Sequence, residues 1–206
     1  MELEDWYKFY DKILEDFGFS REKDEEAAKI MHELGKYKLL DYTILEKTIK
    51  NKSVAVVGGA IEKSELEFNE EFNEDVIITS GKAVVKLINK MTPQIHVTDM
   101  EEDDKILVNL EKKGCILVLH AHGDNIDRIR SVVLKLTKFI GTTQSKPFNK
   151  IYNFTGFTDG DRAAIIAKRF GAKKIKLYGF DFERAEGIKK KKLKWAKKIL
   201  EFEGLI

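Results

Sequence analysis

Residues 115–130 read CILVLHAHGDNIDRIR. An unbroken apolar run ends on a histidine; a second histidine, a glycine and an acid follow, and the pattern beyond has amphipathic-helix spacing. Apolar runs without polar alternation mark strands covered on both faces, as in parallel sheets. Strand, tight turn and helix in one stretch make a β-turn-α unit, and the chain repeats it. The runs SVAVVGG (53–59), DVIITSG (75–81), QIHVTD (94–99), KIYNF (150–154) and KIKLYGF (174–180) alternate with the helical patterns GKAVVKLINKM, EEDDKILVNLEKK, NIDRIRSVVLKL and GDRAAIIAKRFGA. This order predicts an α/β fold: a three-layer, mostly parallel, Rossmann-like sheet, doubly wound through right-handed crossovers. It occupies residues 51–206 and closes with a Lys-rich helix over about 184–203.

Residues 1–50 form an N-terminal helical unit in this reading. Trp6, Phe9, Tyr10, Ile13, Leu14 and Phe17 recur at helix spacing and Gly18 stops them. Ser20 starts a second helix whose apolar positions, Ala27, Ala28, Ile30, Met31 and Leu34, run to Gly35. A third covers about 38–50. The plain role of this unit is a structural cap or a dimer face, which leaves a homodimer open.

The 206 residues carry 37 Lys and Arg against 35 Asp and Glu. Near balance gives no bulk attraction to nucleic acid, so a basic site has to arise from local placement. Cys115 is the single cysteine, which rules out an intrachain disulfide and a Cys-based zinc site. No segment approaches the roughly 18 apolar residues of a membrane span. The first residues, MELEDWYKFYDKILEDF, are acidic and lack an apolar signal core. A cytoplasmic protein with no membrane partner is expected, and abundant Lys and Glu with two Gln suggest a heat-adapted source.

Open parallel sheets bind ligands at the carboxyl ends of their strands. The residues there are Gly58-Gly59, Ser80-Gly81, Thr98-Asp99 with Glu101, the HAHGDN turn, NFTGFTDGDR (153–162) and Gly179-Phe180-Asp181. Glycines admit a close backbone approach, helix N-termini attract anions, and aspartates beside a bound anion suit a hard cation bridging to phosphate. Asp99, directly after IHVT, is the leading Mg²⁺ ligand. Acids 101–104 are accounted for by a helix first turn. Asp124 reads equally as an N-cap or a ligand. His120 and His122 supply two of a zinc site's ligands and nothing else has zinc spacing, so they read as phosphate donors or as a proton acceptor. In FTGFTDGDRAA, aromatic faces suit a flat heterocycle and Arg162 suits a polyphosphate. There is no G-x-x-x-x-G-K-[ST], G-x-G-x-x-G or G-x-S-x-G.

VTDM after PQIH, then HAHGDN, GTTQ and NFTGFTDGDRAA before KIKLYGFDFE, resemble the archaeal 6-hydroxymethyl-7,8-dihydropterin pyrophosphokinases, whose core is similar to the catalytic domain of thiamine pyrophosphokinases. The likeness covers roughly residues 53–182. Relatives often read D-G after the second strand and T-D-L-D-G after the third; here Ser80-Gly81 and Thr98-Asp99-Met100-Glu101-Glu102 stand there. The resemblance implies that ATP and the hydroxymethylpterin give AMP and the pterin diphosphate, with Mg²⁺, in methanopterin- or folate-type cofactor synthesis. For that reaction we assign Asp99, His120, His122 and Asp124 as catalytic residues, with Asp99 and Asp124 on the metal and Glu101 as a further ligand. Gly58, Ser80, Gly81, Asn125, Thr143, Gln144 and Arg162 would hold ATP. Phe154 and Phe157 would stack on the pterin, and Asp159 or Asp161 would pair with its amino-pyrimidine edge.

Two other classes fit parts of the pattern. A metal-dependent glycosyl- or nucleotidyl-transferase would share the core. An RNA-binding protein would use the lysines of 189–198, although a solvated helix face with Leu193, Trp195, Ile199 and Leu200 turned inward explains that stretch, and acids at the strand ends would repel a polyanion.

Overall fold

The structure is a computed structural model describing residues 1–62 and 72–206. Among these, seven strands form one sheet in which every ladder is parallel. In chain order the elements are α1 (Leu3–Phe17), α2 (Arg21–Gly35), α3 (Thr43–Ile49), β1 (Ser53–Val57), β2 (Val76–Ser80), α4 (Ala83–Leu87), β3 (Ile95–Thr98), α5 (Asp104–Lys112), β4 (Ile116–Ala121), α6 (Ile126–Lys135), β5 (Ile140–Thr143), β6 (Ile151–Tyr152), α7 (Asp159–Arg169), β7 (Lys174–Tyr178) and α8 (Gly187–Phe202). The spatial order is β6-β5-β4-β3-β2-β1-β7. The chain steps from β1 to β6 in one direction, then α7 crosses the sheet and β7 pairs with the far side of β1. The α/β layered fold expected from the sequence is the one observed.

Side-chain alternation divides the sheet between two helical layers. Leu117, Leu119 and Ala121 of β4 pack with α2, α5 and α6, whereas Val118 packs with Val54, Val56 and Ile78 against Ala163 and Ile166 of α7. Ala55 and Val57 of β1 face Ala83 and Leu87 of α4. The first two helices straddle the sheet: Ala27, Ala28 and Met31 of α2 join the α5–α6 layer, while Trp6, Tyr10 and Ile13 of α1 pack with Ile165 and Ile199 on the α7–α8 side. Gly18, at φ 67, ends α1, and Ser20 caps α2 by accepting the Lys23 N–H at 3.2 Å.

β5 is a strand that the apolar-run reading passes over, because IGTT holds one large apolar residue. It nevertheless pairs between β4 and β6. A Cβ on Gly141 would lie 2.6 Å from Ile151 and 2.9 Å from Leu39, so glycine is what lets those neighbours close over the strand.

Candidate active site

The carboxyl ends of β1 to β5 and β7 open into a cavity of about 940 Å³, within the size of small-molecule sites. The HAHGDN turn forms one wall. Asn125 is buried and ties the turn together: its Nδ2 donates to the carbonyls of His120 (2.8 Å) and Asp99 (2.9 Å), and its Oδ1 accepts the His122 N–H (3.1 Å). The Gly123 N–H donates to Asp24 Oδ1 at 2.7 Å, and a Cβ at 123 would lie 2.6 Å from Lys23 Cβ. The glycine therefore lets the start of α2 dock on the turn. Asp24 also accepts from Tyr10 Oη (2.5 Å) and Gln144 Nε2 (2.7 Å), joining α1, α2, β5 and the turn at one buried carboxylate.

The two histidines carry their protons differently. Thr142 Oγ1 donates its single hydrogen to the Leu119 carbonyl at 3.0 Å, so at 3.1 Å it accepts from His120 Nδ1. His120 Nε2 is then a lone pair, buried and without a hydrogen-bond partner among the described residues. Burial, then the charge of Arg162 and His122, hold this ring's pKa well below the usual imidazole value, with the Gln144 side chain pulling weakly the other way. His122 is the reverse: its Nδ1 accepts the Asp124 N–H at 3.3 Å, which puts a hydrogen on Nε2, 3.7 Å from Asp99 Oδ2.

Opposite lies the N-terminus of α7. Asp159 Oδ2 is 3.4 Å from the Asp99 N–H, and its Oδ1 is 3.3 Å from Arg162 Nη1. Burial and then the charge of Asp99 raise the Asp159 carboxyl well above its ordinary range, against the pull of Arg162. Asp99 goes the other way: burial pushes it up, but the His122 contact and the charges of His122, Arg162 and Lys192 bring it below its ordinary value. Gly81, at φ +49, leaves room for Asp159; a Cβ there would lie 3.1 Å from Oδ2. Ser80 Oγ donates to the Val57 carbonyl at 3.1 Å, and Gly58 packs against the Gly179 carbonyl on the floor between β1 and β7.

Asp99, Glu101, Asp124, His120, His122, Gly58, Ser80, Gly81, Gln144, Phe157, Asp159, Asp161 and Arg162 thus meet around one cavity. Three residues placed there by sequence do not line it. Phe154 stacks on Tyr152 at 5.5 Å and meets Phe170 edge-on at 5.3 Å, inside the core under α7. Thr143 is buried with its hydroxyl 3.2 Å from Ser145 Oγ. Asn125 holds the turn from behind. Asp161 reaches the wall, yet its oxygens accept the Phe157 N–H (2.8 Å), the Thr158 N–H (2.6 Å) and the Thr158 hydroxyl (2.5 Å), so it caps α7 and is not open to a ligand. Nor do the proposed metal ligands converge: Glu101 pairs with Lys82 at 3.2 Å and Asp124 is exposed. No three His, Cys, Asp or Glu among the described residues form a metal-holding group. The acid brought next to Asp99 is Asp159.

The structure adds wall residues that the sequence reading left out: Phe19, Lys23 and Asp24 from the α1–α2 corner, and Arg184 and Lys192 from the C-terminal segment. Asp24 reads in sequence as an ordinary first-turn acid and Lys192 as one of many lysines on an exposed face; no local pattern distinguishes them.

The family described as 6-hydroxymethylpterin diphosphokinase MptE-like matches residues 28–187. Three curated archaeal proteins named 6-hydroxymethyl-7,8-dihydropterin pyrophosphokinase are similar over nearly their whole lengths. The Methanocaldococcus jannaschii protein is 33% identical over 98% of this chain and 95% of its own. The Pyrococcus furiosus protein is 34% identical over 98% and 94%, and that of Methanothermobacter thermautotrophicus 32% over 98% and 95%.

Proposed function

Because the chain belongs to the family of MptE-like 6-hydroxymethylpterin diphosphokinases, we propose that it transfers diphosphate from ATP to 6-hydroxymethyl-7,8-dihydropterin, in the synthesis of a methanopterin- or folate-type cofactor. The observation that carries this reading is the pairing of Asp99 with Asp159 across from Arg162 and His122 in one cavity: carboxylates for a cation, with cations and an N–H donor for phosphate.

The pterin hydroxyl oxygen attacks the β-phosphorus, the bond from that phosphorus to the bridging α,β-oxygen breaks, and AMP leaves with the oxygen. Such transfers depend on positioning and charge stabilisation. Asp99 and Asp159 would hold Mg²⁺, a hard cation commonly bound through one or two carboxylates, and it would offset phosphate charge there. The fit rests on the two acids meeting at the cavity, Asp159 Oδ2 lying 3.4 Å from the Asp99 N–H. Arg162, fixed by the Gly156 carbonyl at 3.1 Å as well as by Asp159, faces the polyphosphate. His122 Nε2–H donates to a phosphate oxygen. His120 Nε2, a lone pair that cannot donate, takes the hydroxyl proton. Phe157 and Gln144 place the pterin on the β4–β5 side, and the glycine turns at Gly58, Gly81 and Gly179 leave the β1–β7 side to the nucleotide.

The test is incubation of the full chain with ATP, Mg²⁺ and the reduced hydroxymethylpterin, with nucleotide products separated. AMP in step with pterin diphosphate is expected. ADP, free pyrophosphate, or no turnover would overturn the reading.

A further inference from the structure

Among the described residues, seven cationic side chains line the cavity: Lys23, Lys82, Lys86, Arg162, Arg184, Lys189 and Lys192. Most already have partners. Lys82 pairs with Glu101, Arg162 with Asp159, and Arg184 with Glu62 and Asp181. Lys86 Nζ donates to the Gly59 and Ile61 carbonyls at 3.0 and 2.7 Å. Lys192 differs. It is half-buried on α8, has no carboxylate within ion-pair distance among the described residues, and its Nζ stands 5.9 Å from the centre of the Phe19 ring, a weak hold. It lines the same cavity as Asp99, and its charge is among those that lower the Asp99 carboxyl. The adjacent contacts fix the helix at that angle: Trp195 Nε1 donates to Asp16 Oδ2 at 2.8 Å and Lys191 pairs with Asp16 at 3.0 Å.

We infer that Lys192 is a binding residue for the polyphosphate of the donor nucleotide, delivered by α8 from outside the family-matched span of 28–187 to the wall of the cavity that Asp99 also lines. A half-buried ammonium with no carboxylate beside it gains when a multiply charged phosphate chain enters, because the anion is its first full partner. The other lysines do not share the role: Lys191 is tied to Asp16, Lys189 on α8 and Lys23 on α2 line the wall but are exposed, and Lys194 and Lys198 are exposed and absent from the wall. The inference rests on the ATP reading above and adds which residue grips the phosphates.

The experiment is calorimetric titration of the full chain, with Mg²⁺, using α,β-methylene-ATP, which resists α–β cleavage, and AMP. Lys192→Met keeps the stem on Phe19 and removes the charge. It is expected to weaken the triphosphate analogue about tenfold while AMP binding changes less than about twofold. Lys192→Arg should restore most of the loss, and Lys194→Met should behave as the parent. Unchanged affinity for the analogue in Lys192→Met would overturn the inference, as would an equal loss for AMP, which would signal a damaged wall. No pterin is present, so a failure of the pterin reading leaves this result intact; a parent chain that binds neither nucleotide would sink the ATP reading and the inference together.

Discussion

Asp99 and Asp104 sit five positions apart and show how the same residue type serves two ends. Asp99 borders the cavity beside Asp159. Asp99→Asn keeps the side chain's size and removes its charge, so turnover is expected to fall by about two orders of magnitude or more with little change in melting temperature. Product formation and a thermal melt, measured on one preparation, check both halves. Asp104 lies outside the cavity. Burial pushes its carboxyl up, but bonds from Lys135, Ser131 and Arg128 outweigh that and set it at about 2. Its folded value is depressed, so its stabilisation is fully present above the ordinary value of 3.8 and is lost as pH falls towards 2. Asp104→Asn should cost about 1 kcal/mol at neutral pH, after allowance for solvent screening. Denaturant melts of parent and variant should converge near pH 2. The acids of residues 101–104 were legible as a first-turn group, and Asp103 does cap α5 by accepting the Lys105 N–H at 2.8 Å. Glu102 was not separable from them. It is buried, its Oε2 accepting from Thr98 Oγ1 at 2.6 Å and its Oε1 lying 3.7 Å from His96 Nε2, a pairing between β3 and its own loop that charge patterning does not reveal.

Among elements, the long apolar runs declared themselves, since a strand buried on both faces has little polar alternation to confuse it with a surface helix. β5 did not. Its place in the sheet comes from pairing with β4 and β6 and from a glycine under Ile151 and Leu39, and pairing partners are not written in the strand itself. Gly141→Ala should therefore destabilise by about 1–3 kcal/mol through overpacking, read as a lower denaturation midpoint with unchanged slope. α7 was legible in position and partly in purpose. GFTDGDRAA signals a cap at Thr158 or Asp159; the N-cap is Thr158, and Asp161 closes the capping box by accepting its N–H. That Asp159 faces Asp99 depends on α7 crossing from the β6 edge back over β3, β2 and β1, a consequence of strand order that local pattern does not specify.

For the molecule as a whole, the site was legible as a set of strand ends but not as a walled cavity. Its outer wall comes from residues 19–24 and from α8, regions that sequence reads as helical cap and solvated face. Tertiary contacts between distant segments put them there: Phe9 meets Trp195 edge-on at 6.4 Å, and Trp6 Nε1 donates to the Gln144 carbonyl at 2.8 Å. A ligand that touches several of these segments should stabilise all of them together. ATP with Mg²⁺ at about a hundred times its dissociation constant is expected to add about 2.7 kcal/mol. That corresponds to a rise of roughly 5–10 °C in melting temperature for a chain of this size. A melt that does not move at that saturation would mean that the nucleotide does not bind the folded chain.

His120 and His122, one residue apart, store their hydrogens on opposite ring nitrogens whenever both are neutral. Isotope-labelled imidazoles of those two kinds give different nitrogen-15 resonance patterns, so the pair is a native spectroscopic label inside the cavity. Occupancy beside either ring would be visible in solution without a dye, a tag or a turnover assay.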